Sequence, residues 1–141
     1  MKKFETGELI GKSSRLLTNS LSQNLLFSST RITSEQWILL QILSKGAKNQ
    51  KELGKITLKT KATINSLVSY LLKSELIIKT NSKLDNRYTI LSISKKGLIT
   101  IKETNEYALK SIEQATDNFS KEEIKELNKY LSRIIINLNN E

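Results

Sequence analysis

Apolar residues recur along most of this chain at intervals of three and four, and the breaks in that rhythm mark out its elements. Phe4, Ile10, Leu17, Leu21 and Leu25, with neighbours Leu9, Leu16 and Leu26, predict a long first helix over residues 4 to 28, loosened at its start by Gly7 and Gly11. Thr33-Ser34-Glu35-Gln36 reads as a capping box, in which the Thr hydroxyl accepts from the amide three residues on and the Gln side chain reaches back. It opens a second helix from Ser34 to Ser44, with Trp37, Leu40 and either Ile42 or Leu43 inward, stopping at Lys45-Gly46. Asn49 with Glu52 repeats the capping pattern for a short third helix anchored by Leu53 and Ile56.

Thr57-Leu58-Lys59 turns the chain, and Thr60 caps a fourth helix. Its inward side is Ile64, Leu67, Val68, Leu71 and Leu72, which leaves Lys61, Ala62, Asn65, Ser66 and Ser69 outward. Two β-branched runs follow, Leu76 to Thr80 and Tyr88 to Ile93, separated by a polar hairpin tip from Asn81 to Arg87. Ser94 then caps a long fifth helix with Leu98, Ile101, Ala108, Ile112, Ala115 and Phe119 at helical spacing, Asn105 standing where an apolar residue is expected. Ser120-Lys121-Glu122-Glu123 opens a last helix with an apolar seam of Ile124, Leu127, Leu131, Ile134 or Ile135, and Leu138.

A short helix, a tight turn, a second helix and a two-stranded hairpin in that order make a winged helix-turn-helix. The expected fold class is therefore mainly α with a small β-hairpin wing, flanked by N- and C-terminal helices. Charge sharpens the picture: between Lys45 and Lys96, Lys and Arg outnumber Asp and Glu by 12 to 3, while the two flanks are nearly balanced. The net charge of +9 thus sits on one module, a footprint suited to a polyanion.

Length fits one domain, 1–141. With no Cys and no His, thiol nucleophiles, disulfides, imidazole bases and the usual zinc and haem ligand sets are excluded, so no enzyme activity, metal or cofactor is expected. Glu5 to Glu8 interrupt what a signal peptide would need as its apolar region, and no apolar run approaches a bilayer span. A cytoplasmic protein without membrane association is expected.

The major groove of DNA admits one α-helix, whose N-terminal residues reach deepest. The candidate DNA-binding residues are accordingly Thr60, Lys61, Ala62, Thr63, Asn65 and Ser66, joined by Gln50 and Lys51 at the start of the third helix. Thr and Ser suit phosphates or either base type, Asn65 suits adenine, Lys61 a guanine or a phosphate, and the Ala62 methyl a thymine. A solvated polar face on an ordinary amphipathic helix explains the same residues taken alone; their place between a short helix and a basic hairpin favours recognition. At the tip, Lys83, Asp85, Asn86 and Arg87 suit a narrow minor groove, with Arg87 inserted and Asp85 orienting it. Turn chemistry accounts for the Asp and Asn but not for the cations beside them. Lys48, Lys55, Lys79, Lys95 and Lys96 read as phosphate contacts or solubility charges.

Gly7 to Ser13 superficially imitates a phosphate-binding loop, but it is one residue short and follows no strand. Glu122, Glu123 and Glu126 are explained by the positive end of a helix dipole rather than by a metal.

From Ile32 to Gly97 these motifs, taken in order, resemble the MarR-type winged-helix transcriptional regulators: Ile32-Thr33-Ser34-Glu35-Gln36-Trp37, Gln50-Lys51-Glu52-Leu53, Thr60-Lys61-Ala62-Thr63-Ile64, Asp85-Asn86-Arg87 and Ile93-Ser94-Lys95-Lys96-Gly97. Leu58 and Glu75 depart from that pattern, standing where the family usually has Gly. The resemblance implies a winged lobe over 32–97 and a helical dimerisation region built from 1–31 and 98–141. It also implies a homodimer that binds double-stranded DNA at a pseudo-palindromic operator, as a ligand-responsive repressor. A small-molecule effector, a phenolic or lipophilic anion, is expected between the two regions. The alternative is a winged-helix adaptor that binds protein without specific DNA recognition.

Overall fold

A computed structural model describes residues 2–81 and 89–139. In chain order it contains α1 (Lys2–Leu25), α2 (Ser34–Ser44), α3 (Gln50–Thr57), α4 (Lys61–Lys73), β1 (Ile77–Asn81), β2 (Thr89–Ile93), α5 (Lys95–Ala115) and α6 (Lys121–Leu138). The expected capping signatures hold atom by atom. Thr33 and Gln36, Asn49 and Glu52, and Ser120 and Glu123 each form a reciprocal box, while Ser94 Oγ accepts from the Gly97 amide. The Gly7 to Ser13 segment is continuous α1 helix, which gives no loop to cradle a phosphate.

The core joins Leu25 and Ile32 to Leu39, Leu40 and Leu43 of α2, Leu53 of α3, the α4 stripe of Ile64, Leu67, Val68 and Leu71, and Leu76, Ile77 and Leu91. Ile56, expected as a second anchor of α3, is instead exposed, so Leu53 alone secures that short helix. The strands pair antiparallel with Ile77 opposite Ile93 and Asn81 opposite Thr89. Lys48, just before α3, adds a one-residue third strand: its amide donates to Leu91 O (3.1 Å), and the Leu91 amide donates back (2.8 Å). That bridge ties the entrance of α3 to the base of the hairpin.

Both non-glycine departures adopt the left-handed conformation that glycine normally supplies. Leu58 has φ 59° and Glu75 has φ 62°. At Glu75 the chain closes a Schellman motif: the Glu75 amide donates to Leu72 O (3.0 Å), the Leu76 amide donates to Leu71 O (2.9 Å), and both leucines at positions 71 and 76 are buried. The left-handed turns are therefore formed without Gly, at a conformational cost.

The fifth helix departs from its expected inward stripe. Its buried residues are Gly97, Thr100, Thr104, Ala108 and Ser111, whereas Leu98, Ile112, Ala115 and Phe119 are exposed. Small and hydroxyl side chains let α1 and α2 approach closely and supply directional bonds. Asn24 Nδ2 donates to Ser111 Oγ (2.7 Å), Ser20 Oγ donates to the same atom (3.2 Å), and Trp37 Nε1 donates to Thr104 Oγ1 (3.0 Å). Of the expected α1 stripe only Leu25 is buried and Leu21 half-buried; Phe4, Leu9, Leu16 and most of the α6 seam are open. No residue of α6 is buried among those described.

Two outcomes test these constraints. Leu58→Gly and Glu75→Gly should each raise stability in urea unfolding by about 0.5–1 kcal/mol, because relief of the left-handed strain exceeds the added freedom of the unfolded chain. At Gly97 a Cβ would lie 2.2 Å from Leu76 O and 2.6 Å from Ile93 Cγ1, so Gly97→Ala should lower stability by about 1–3 kcal/mol in the same assay.

Candidate nucleic-acid interface

The α4 helix presents its residues as an amphipathic pattern requires. Ile64, Leu67, Val68 and Leu71 face the core, while Lys61, Ala62, Asn65, Ser66 and Ser69 are exposed. Its first turn is set by Thr60, whose Oγ1 accepts from the Thr63 amide (3.2 Å) and donates to Thr63 Oγ1 (3.0 Å). Thr60 is thus committed to capping, and the Thr63 hydroxyl keeps its proton for another acceptor. Thr63 is half-buried.

Gln50 begins α3 and Asn65 lies in the second turn of α4, yet their side chains meet: Gln50 Nε2 donates to Asn65 Oδ1. This bond shows that the start of α3 lies beside the exposed face of α4 and brings Gln50 into the same surface as Asn65. Lys51, next along α3, is exposed, as are Lys55, Lys79 and Lys95. Lys96 has a structural use, since its Nζ donates to Ser74 O (2.9 Å) at the C-terminus of α4, where a cation meets the negative end of the helix. The expected wing-tip contacts Lys83, Asp85, Asn86 and Arg87 lie outside the described residues.

Sequence reasoning placed Gln50 and Asn65 separately and missed their pairing, because a contact between two polar side chains on different helices has no periodic signature. The polar stripe on α5 does have one, at positions 97, 100, 104, 108 and 111, and was masked by the apolar stripe beside it.

An exposed polar helix start backed by a short preceding helix, with a paired-strand hairpin following, defines a winged helix-turn-helix protein. By sequence alone, no protein-family profile and no curated protein matches the chain. Solved structures do. AbsC, a MarR family transcriptional regulator from Streptomyces coelicolor, matches with a TM-score of 0.84 at 21% identity over 96% of this chain and 93% of that one. Sco3205, a MarR family transcriptional regulator from the same organism solved in complex with DNA, matches with a TM-score of 0.86 at 18% identity, over 97% and 88% of the two chains. A probable transcriptional regulator from Pseudomonas aeruginosa gives 0.77 at 26% identity, over 92% and 96%. The chain has the fold of the MarR-type winged-helix regulators over nearly its whole length.

The capping role of Thr60 is open to a direct test. Thr60→Ala should cost about 1 kcal/mol in urea unfolding and Thr60→Ser should restore most of it, since only the hydroxyl is needed.

Proposed function

We propose that this protein is a sequence-specific double-stranded DNA-binding transcriptional regulator that acts as a homodimer, with repression responsive to a small molecule. One observation carries the reading: the exposed start of α4, bonded to the start of α3 through Gln50 and Asn65, stands on the segment that holds the chain's entire positive excess. Cations supply attraction to phosphates, and a helix held rigid on an apolar core supplies a fixed set of groups for base edges. The MarR-type neighbours, among them the Sco3205 complex with DNA, support the same use of this fold.

The exposed apolar residues of α1, α5 and α6 support the homodimer. Leu9, Leu16, Ile112, Leu131, Ile135 and Leu138 are all exposed on these three helices, apolar side chains that a second copy could cover. A two-fold pair places two α4 helices on successive major-groove faces, so operator half-sites about 10 base pairs apart are expected. For the effector, a shallow cleft between the α1–α2 connection and α5 is lined by Phe27, Tyr107 and Leu109 together with Lys102, Glu103 and Glu106; its apolar side chains suit the lipophilic part of a small molecule, while two carboxylates against one ammonium do not favour an anion. Of the solved neighbours named above, two are transcriptional regulators and one is a probable transcriptional regulator, and no catalysis is proposed. Among the described residues no helix is long and apolar enough to cross a membrane; a cytoplasmic location accords with binding the genome.

Mobility shifts on genomic fragments test the reading. The protein should prefer particular fragments over bulk DNA at physiological salt, with two protomers per site. Affinity should fall steeply as salt rises, and Lys61→Ala should reduce the slope of log K against log salt by about 1. Equal binding to all fragments would remove the regulator reading. Protein capture with a shallow salt slope would favour the adaptor.

A further inference from the structure

Asn65 is exposed in the second turn of α4, and its Oδ1 accepts from Gln50 Nε2. An unrestrained asparagine can turn its amide over, presenting oxygen and nitrogen in either order. The two orders suit different purines. Adenine shows an N7 acceptor beside an N6 donor, which match Nδ2 and Oδ1 together, whereas guanine shows two acceptors, N7 and O6, which a turned amide meets with its N–H groups alone.

Here the Asn65 amide cannot turn alone: with Gln50 Nε2 as donor, a turned Asn65 would set its own N–H groups against the Gln50 N–H, so the order of one amide is tied to that of the other. The holding group is itself well placed. Gln50 is the first residue of α3 and half-buried, and its helix start is closed by the Asn49 and Glu52 box, with bonds of 2.8 and 3.0 Å. Asn65 follows the buried Ile64 and precedes the buried Leu67 by two residues, so its backbone is fixed by the core. An amide oxygen has two lone pairs, and one bond from Gln50 leaves the second for a base amino group. No other described residue bonds to Asn65 Nδ2 or Gln50 Oε1.

Resting on the DNA-binding reading above, we infer that Gln50 is a specificity-determining positioning residue: by holding the Asn65 amide in one order, it makes this position read adenine and reject guanine. Gln50 and Asn65 act as one reading unit supplied by two helices, and Gln50 sets base choice without itself contacting that base.

The test is selection from a randomised DNA library with wild-type protein and with Gln50→Ala, Gln50→Glu, Asn65→Ala and the Gln50→Ala/Asn65→Ala double variant, followed by affinities for the selected site and its single A-to-G change. Thermal unfolding of each variant confirms an intact fold. If wild type selects no site, the DNA-binding reading itself fails. If it selects one, Asn65→Ala should lose base preference at one pair in each half-site, where wild type prefers adenine over guanine by about tenfold or more. Gln50→Ala should lose most of that ratio at the same pair while other positions keep theirs. Gln50→Glu, nearly the same shape but without the N–H, should not restore it, and the double variant should discriminate no less than Asn65→Ala alone. The inference is overturned if wild type prefers guanine there, if Gln50→Ala leaves the ratio intact or changes another pair, or if the two substitutions act additively.

Discussion

The dry seam of α4 is the constraint from which the rest of the winged lobe follows. Ile64, Leu67, Val68 and Leu71 are buried, and removing a branched aliphatic side chain from water contributes about 1.5–3 kcal/mol each. Rotating the helix by one residue would turn the seam through about 100° and expose it, so the burial of four residues fixes the direction of every other one. Lys61, Ala62, Asn65, Ser66 and Ser69 point outward because there is no other place for them. The neighbouring elements serve the same seam. Leu53 of α3 and Ile77 and Leu91 of the strands close the core, and the bridge between Lys48 and Leu91 keeps the α3 entrance against the sheet.

The parts of this architecture legible beforehand are those whose causes are local. The capping boxes at Thr33, Asn49 and Ser120 each depend on residues three apart, and the amphipathic split of α4 depends only on its own period. Leu58 and Glu75 were legible as departures, and the backbone explains how they are accommodated: the turn conformation is kept and the side chains, both exposed, bear the cost. What escaped reading depends on a second segment. Lys48 pairs with a strand more than forty residues away, and Ile56 sits at an apolar position of a helix too short to bury a second turn. The α5 helix carries two interleaved stripes, one small and polar and one apolar. Which stripe turns inward is decided by α1 and α2, where Asn24, Ser20 and Trp37 supply donors that Ser111 and Thr104 accept. The candidate site divides in the same way: the outward residues of α4 were readable, and their bond to Gln50 was not.

The polar seam of α5 has a consequence for how the two ends of the chain communicate. Apolar contacts tolerate sliding, whereas hydrogen bonds in a partly dry interface hold one register, since breaking one there leaves a polar group unpaired. Trp37 lies on α2, within the winged lobe, and Thr104 near the middle of α5; Ser22 Oγ on α1 also donates to Ser34 Oγ at the start of α2 (2.8 Å). Displacing α5 or α1 therefore pulls on α2 through directed bonds, and α2 packs directly on α4 and β2.

On the proposed reading, that connection explains why binding chemistry is divided as it is. A positive module attracts any polyanion, and this attraction alone selects nothing. Selection requires groups whose positions are known in advance, which α4 would provide by being locked to its core and Gln50, as inferred above, by holding one amide. A single helix reads few base pairs, so useful discrimination comes from repeating the reading at a fixed spacing. On the same reading, the open apolar faces of α1 and α6 would be the means of repetition, and they lie on the segments where charge is nearly balanced, so that two copies would meet without electrostatic opposition. Concentrating cations on one module and leaving the flanking helices nearly neutral would thereby let one chain be attracted to DNA and to its own copy at the same time.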